Sequence, residues 1–214
     1  MRFPVVIFDF DYTLADSSRG VLECINHAFK GMGLPKVAAE DAQRTIGLSL
    51  PNILVTLAGK EHEGRGGEFA RLFVERADEV MTDQTSVFEE VPEVIRRLKD
   101  EGLTLGIVST KFRRRIEEIL GQVELLEPFD VIVGGEDVSR HKPDPEGLLA
   151  AIERLGGSPS GSLYVGDSVT DAETARRAGV PFAAVLNGVT PREAFKDYPA
   201  YKILDNLGEL IDQS

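Results

Sequence analysis

Val5-Val6-Ile7-Phe8-Asp9-Phe10-Asp11-Tyr12-Thr13-Leu14 is the stretch that decides how the rest of the chain is read. Four apolar residues, three of them β-branched, predict a buried strand. Two carboxylates follow, Asp9 and Asp11, at positions i and i+2. On an extended chain such residues share a face. Two acids side by side at the end of a buried strand repel each other. The pairing makes sense if something there gains from two anions, such as a divalent cation. The alternative is a pair of solvated acids in an ordinary strand-end loop, where Asp is favoured.

After Leu14 the period changes from strand to helix. Ser17 and Ser18 are candidate N-caps, and Val21, Leu22, Ile25, Ala28 and Phe29 recur at helical spacing before Gly31 and Gly33. A second helical piece is expected around Ala38–Ile46, then a turn at Gly47-Leu48-Ser49-Leu50-Pro51 and a third piece to Leu57. Glu61–Gly67 reads as a polar loop, and Phe69, Leu72, Phe73, Ala77, Val80 and Met81 restore a helical stripe. Residues 16–83 are thus predicted as a helical unit without a convincing strand. From Val91 onward helix and strand alternate. Helices are expected at Pro92–Glu101, Phe112–Leu120 and Pro145–Leu155, the last with Leu148, Leu149 and Ile152 facing inward; a further one contains Thr174–Ala178. Strands are expected at Leu103–Val108, Val131–Val133, Leu163–Val165 and Phe182–Leu186, with a last short one near Ile203. This alternation predicts an α/β fold: a doubly wound, mainly parallel sheet covered on both faces. The α/β domain comprises residues 1–15 and 84–214, and residues 16–83 are a helical insertion after its first strand.

The chain has 214 residues, is 42% hydrophobic, and carries a formal net charge of −12 with a pI near 4.8. That length holds one large domain, or one carrying a smaller insert. The acidic balance argues against nucleic acid or an anionic membrane surface as partner. Cys24 is the one cysteine, so no intrachain disulfide forms, which fits a reducing compartment. No signal peptide is visible, and no run approaches the roughly 20 apolar residues of a membrane span. A cytoplasmic protein is expected.

In open parallel sheets, ligands bind beyond the carboxyl ends of the strands. Four predicted strands lead there to polar residues: Asp9 and Asp11; Ser109; Lys142, in His141-Lys142-Pro143-Asp144-Pro145; and Asp167 and Asp171, in Gly166-Asp167-Ser168-Val169-Thr170-Asp171. Taken singly, Ser109 could cap a helix, Lys142 could lie on the surface, and Asp167 and Asp171 could favour a helix dipole. Together they make three or four carboxylates, a hydroxyl and an ammonium at one sheet edge. A hard, oxygen-ligated cation such as Mg²⁺ suits the carboxylates. Mg²⁺ and a lysine would together offset the repulsion between a phosphate dianion and a carboxylate nucleophile, permitting an aspartyl-phosphate.

These motifs, in this order and with an insert of this size, resemble the haloacid dehalogenase (HAD) superfamily of phosphohydrolases, in the branch with a helical cap after the first strand. Within it the chain is most similar to phosphoglycolate phosphatase-like and β-phosphoglucomutase-like proteins, over essentially its full length. The resemblance implies a Rossmann-like core with a cap that closes over the substrate and excludes water. It implies Asp9 as nucleophile, Asp11 as general acid/base, and Lys142 as the lysine that neutralises nucleophile and phosphate. Ser109 matches the phosphate-binding hydroxyl, and Thr110 and Lys111 border the phosphate or the cap. Asp9, Asp167 and the backbone carbonyl of Asp11 match Mg²⁺ ligands, while Thr13 and Asp171 match supporting residues. The family usually has Gly where this chain has Tyr12, a change in the shape of the site. The superfamily's dehalogenases lack the second acid of the opening pair, so Asp11 favours phosphoryl chemistry. The expected activity is Mg²⁺-dependent hydrolysis of a small phosphorylated metabolite by a monomer or homodimer. The alternatives are an inorganic pyrophosphatase, a β-phosphoglucomutase-like phosphotransferase and, from another class, a non-catalytic phosphate-binding module.

Overall fold

A computed structural model describes residues 3–211. In chain order its elements are β1 (Val5–Phe8), β2 (Ala15–Asp16), α1 (Ser18–Gly31), α2 (Ala39–Gln43), α3 (Leu50–Ala58), α4 (Gly66–Val80) and β3 (Ser86–Val87). There follow α5 (Val91–Asp100), β4 (Thr104–Val108), α6 (Arg113–Gln122), β5 (Val131–Val133), α7 (Glu146–Arg154), β6 (Ser162–Gly166), α8 (Val169–Ala178), β7 (Phe182–Val185) and β8 (Ala200–Leu204). The chain divides into two compact units. One takes the chain up to Ala15 together with everything from Val87 on; the other is Asp16–Ser86. The sequence put the return junction at Asp83. Hydrogen bonds from Gln84 N to Val80 O and from Thr85 Oγ1 to Met81 O carry the end of α4 beyond that point.

The larger unit is built on a six-stranded sheet of order β5-β4-β1-β6-β7-β8, with every pair parallel. Because the sheet is buried on both faces, β1 shows no polar alternation, yet its residues still divide by parity. Val6 and Phe8 join a core with α5 and α6, through Val91, Val94, Ile95, Leu98, Ile116 and Ile119. Val5 and Ile7 join the opposite core with α7 and α8, through Leu148, Ala151, Ile152, Ala172 and Ala175. The chain builds outward from β1 to β4 and β5 on one side, then to β6, β7 and β8 on the other. β1 therefore sits at the point where strand order reverses, the usual place for a ligand in such sheets.

The smaller unit has a separate core. Cys24, Ile25, Ala28 and Phe29 of α1 and Phe69, Phe73 and Ala77 of α4 pack with Ile53 and Leu54 of α3. Phe29 and Phe69 meet edge to face with centroids 5.9 Å apart.

Several expectations are corrected. Leu149 points outward and is 39% exposed, because the inward stripe of α7 runs through Leu148, Ala151 and Ile152 at helical spacing. Residues Lys60–Arg65 form a 3-10 helix in place of the expected loop. α6 runs to Gln122, two residues past the expected end at Leu120, and takes in Gly121. Neither Ser17 nor Ser18 caps α1 with its side chain; instead the Asp16 carboxylate accepts from the Ser18 amide at 2.8 Å. β2 and β3 pair with each other and were missed, since two residues show no period.

Candidate active site

The register of β1 with its neighbours sets the site. Phe8 lies opposite Ile107 of β4 and Val165 of β6. Asp9 is the next residue, and its amide donates to Val165 O at 2.8 Å. The chain then turns sharply: the carbonyl of Phe10 accepts from the amides of Thr13, Leu14 and Ala15 at 3.3, 2.9 and 3.1 Å. Within that turn Tyr12 has φ +58°, the left-handed region that glycine enters without strain. Tyr12 thus has a glycine-type backbone conformation at the position where the resemblance implies a glycine. We expect Tyr12→Gly to be more stable than Tyr12→Ala by about 1 kcal/mol, since both lose the buried ring and only alanine keeps the left-handed strain. Urea denaturation of the two variants checks this, and equal stability would show the turn to be unstrained.

Asp9, Asp167 and Asp171 each offer a carboxylate oxygen within 4.8 Å of the others, and all three are buried. Lys142 Nζ lies 3.0 Å from Asp9 Oδ1 and 2.6 Å from Asp171 Oδ1. The Lys142 ammonium is thus an ion-pair partner of Asp9, whose Oδ1 is otherwise buried without a hydrogen-bond partner. Asp171 is the opposite case. Its Oδ1 accepts from Lys142 Nζ and from the Tyr164 hydroxyl at 2.9 Å; its Oδ2 accepts from the amide and hydroxyl of Ser168 at 3.1 and 2.5 Å. The Ser168 contacts are a capping box at the start of α8. Four donors saturate that carboxylate. Both oxygens of Asp171 are thus committed to donors, whereas Asp9 Oδ1 has the Lys142 contact alone.

The electrostatics agree. Three carboxylates face the one ammonium of Lys142. Burial, followed by the charges of Asp171 and Asp11, pushes the Asp9 carboxyl up to about 7 against the pull of Lys142. Burial and the charges of Asp171 and Asp9 hold Asp167 well above the usual carboxylate range. For Lys142, burial works to lower its value, but the carboxylates of Asp171 and Asp9 outweigh it and hold the ammonium above its ordinary value. The group lacks positive charge, and a hard divalent cation on oxygen ligands would supply it.

The other expected residues fall nearby. The Asp11 carboxylate lies 3.1 Å from Lys111 Nζ in a buried ion pair, outside the Asp9–Asp167–Asp171 group. Lys111 is held in place by its amide, which donates to Ser109 Oγ at 3.3 Å. Ser109 directly follows β4, and its amide donates to Val133 O of β5 at 3.0 Å. Thr110 is half-buried, and its carbonyl packs against Gly135 so closely that a side chain there would collide with it. Thr13 is fully buried, and its hydroxyl has no hydrogen-bond partner, so it joins the turn through packing and through the hydrogen bond its amide donates to Phe10 O.

Sequence reasoning missed three features. Tyr164 reads as an ordinary strand aromatic, though a buried phenol always raises the question of its partner. Gly188 follows β7 with no motif around it. A Cβ there would collide with Oδ2 of Asp167 and lie 3.1 Å from Cβ of Tyr12, so glycine leaves room for both. Lys111 pairs with Asp11, a partner that no local pattern indicates.

The model of the haloacid dehalogenase-like hydrolase family matches residues 6–185. The chain belongs to this family. Phosphoglycolate phosphatase 1 of Pseudomonas aeruginosa is 30% identical over 98% of this chain and 79% of its own length. A Caldanaerobacter subterraneus subsp. tengcongensis protein provisionally named a pyrophosphatase is 33% identical over 99% of this chain and 94% of its own. A Bacteroides fragilis crystal structure, provisionally described as a haloacid dehalogenase-like hydrolase, superposes with a TM-score of 0.94 at 42% identity, covering 98% of this chain and 100% of that one. This HAD-family chain is a phosphatase-type hydrolase. Among its described residues no helix is long and apolar enough to cross a membrane.

Proposed function

We propose that this HAD-family enzyme is a Mg²⁺-dependent phosphatase of small phosphorylated metabolites, acting in the cytoplasm through a phosphorylated Asp9. The observation that carries the reading is the buried Asp9 carboxylate at the end of β1, touched by Lys142 and set among more acids than that ammonium can neutralise. Asp9 and Asp167, with the backbone carbonyl of Asp11, would hold Mg²⁺. Bound there, the ion supplies positive charge that lets a phosphate dianion approach a carboxylate.

In the first step a carboxylate oxygen of Asp9 bonds to phosphorus as the bond from phosphorus to the leaving oxygen breaks. Asp11, protonated, gives its proton to that oxygen, which departs as an alcohol. In the second step the Asp11 carboxylate takes a proton from water. The water oxygen bonds to phosphorus, the bond from phosphorus to Asp9 breaks, and orthophosphate leaves with Asp9 restored. Lys142 balances the charge of Asp9 and of the phosphoryl group through both steps. Ser109 and Thr110, at the end of β4, bind phosphate oxygens. The dipolar and ionic groups are already in place, so little reorganisation is needed.

Phosphoglycolate is the first substrate to test, on the strength of the Pseudomonas aeruginosa relative. Pyrophosphate is the second, on that of the Caldanaerobacter protein. The experiment is orthophosphate release from a panel of these two, sugar phosphates and nucleotides, with Mg²⁺ and with EDTA. Release from one or a few members with Mg²⁺ alone is expected, and release unaffected by EDTA would overturn the metal assignment. A transferase that needs a bisphosphate activator would release none from any single compound. Asp167→Ala should raise the Mg²⁺ concentration for half-maximal activity by about 10-fold or more. A Mg²⁺ titration that superposes on wild type would remove Asp167 from the metal site.

A further inference from the structure

The mechanism above leaves the phenol of Tyr164 without a task. The residue lies in the middle of β6 with no exposed surface. Its hydroxyl oxygen has three polar neighbours: Asp171 Oδ1 at 2.9 Å, Val108 O at 3.2 Å and Lys142 Nζ at 3.3 Å. These belong to the start of α8, the end of β4 and the loop after β5. An ammonium has only protons to offer, so the hydroxyl accepts from Lys142. The hydroxyl has one proton to give. Asp171 is both the nearer acceptor and a carboxylate, so the proton goes there.

The result is a closed ring of contacts. Lys142 donates to Asp171 directly and also to Tyr164, which donates to the same Asp171 oxygen. The third direction of the ammonium is Asp9. Lys142 therefore has three neighbours for three protons, two of them fixed to the scaffold, and Asp9 alone left for chemistry. The ammonium stands off the hydroxyl end of the ring, 5.9 Å from its centroid, so the hydroxyl and not the ring face is what it meets. The aromatic body only fills the apolar core beside Phe182, with centroids 6.3 Å apart, a task that phenylalanine would do equally well.

We propose that Tyr164 is a positioning residue for phosphoryl transfer, its hydroxyl holding the Lys142 ammonium against Asp9. The inference rests on the roles given above to Asp9 and Lys142. Without the hydroxyl, Lys142 keeps Asp171 as a partner but loses the second anchor that fixes its direction. Misplacing a catalytic group by about 1 Å can slow catalysis by about 100-fold.

The test is Tyr164→Phe, assayed with p-nitrophenyl phosphate and Mg²⁺. We expect kcat to fall about 10- to 100-fold, KM to change less than about 3-fold, and the melting temperature to fall by no more than about 4 °C. Phe182→Leu is the control for packing: it should lower the melting temperature while keeping kcat within about 2-fold of wild type. A kcat for Tyr164→Phe within 2-fold of wild type overturns the proposal, and so does an equal loss of kcat in Phe182→Leu. Crystal structures of wild type and Tyr164→Phe supply a readout independent of turnover. Lys142 Nζ should shift from Asp171 and Asp9 in the variant, and superposable ammonium groups overturn the proposal. If wild-type enzyme releases no phosphate, the functional reading has failed, and the ammonium position alone then decides.

Discussion

Asp9→Asn should abolish phosphate release while leaving the protein folded and, without metal, more stable above neutral pH. The loss of turnover follows from the loss of the nucleophile, whose removal costs on the order of 10⁴-fold or more in enzymes that work through a covalent intermediate. The gain in stability follows from burial. Burial, first among the causes, pushes the Asp9 carboxyl from 3.8 up to about 7. Between those values the folded state binds the proton and the unfolded state does not. Folding stability due to this group therefore falls as pH rises from about 4 to about 7, and the penalty is complete above that. Asparagine is a neutral isostere and carries no such penalty. In EDTA at pH 8 the variant should exceed wild type by a few kcal/mol, and the gap should shrink toward pH 4. Asp167 titrates in the same direction and stays in the variant, so the pH dependence weakens without vanishing. Urea denaturation at the two pH values, with circular dichroism to check the fold, makes the measurement. Activity within 10-fold of wild type would exclude Asp9 as nucleophile. Equal stability at pH 8 would show that its charge is already compensated in the metal-free protein.

Lys142→Met carries the largest expected loss of stability. The side chains of Lys142, Asp9 and Asp171 are 5%, 2% and 0% exposed, so water does little to screen them. Methionine keeps the length and apolar stem but leaves three buried carboxylates without their ammonium. Removing one partner of a buried pair costs about 3–5 kcal/mol, which in a chain of this size lowers the melting temperature by about 10 °C. The carboxylates of Asp171 and Asp9 raise the lysine's pKa despite burial, so its contribution is present across the neutral range and is lost only in strongly alkaline solution. Turnover should fall by about 10³-fold or more, since the charge that offsets repulsion between nucleophile and phosphate is gone. Differential scanning calorimetry and the phosphate assay test both parts. A variant as stable as wild type would mean that the carboxylates are kept by protons and not by the ammonium. Mg²⁺ should recover part of the lost stability, because it is a second source of positive charge for the same acids.

The two variants affect stability in opposite directions, although their residues are 3.0 Å apart. The sign depends on which charge is in surplus, and nothing in the residue types alone supplies it. Asp167 and Asp171 make the same point. They are identical side chains four residues apart. Asp171 is saturated because α8 begins at Val169, placing the Ser168 amide and hydroxyl on one oxygen, while β6 and the loop after β5 bring Tyr164 and Lys142 to the other. Gly166 allows this approach, since a side chain there would lie 2.6 Å from the Asp171 side chain. Asp167, whose Oδ2 lies against Gly188, shares none of these donors.

By itself the sequence determined the elements and the edge where they converge. Short apolar runs, helices of nine or more residues, and glycine at the breaks are local signals, and they located β1 at Val5–Phe8 and β5 at Val131–Val133 to the residue. Placing polar residues after successive strands of a parallel sheet was enough to gather Asp9, Ser109, Lys142 and Asp167 at one end. Signals vanish where an element is too short to show a period, as in β2 and β3, or where a residue's neighbours come from distant strands. Only the tertiary structure decided that Tyr164 reaches Lys142 and Asp171, that Lys111 pairs with Asp11, that Gly188 makes room for Asp167, and that Tyr12 adopts a glycine's backbone angle. The physical reason is range. Strand and helix patterns are written in neighbours a few residues apart, whereas the charge balance of a buried site is the sum over groups that the fold brings together from β1, β4, β6, α8 and the loop between β5 and α7.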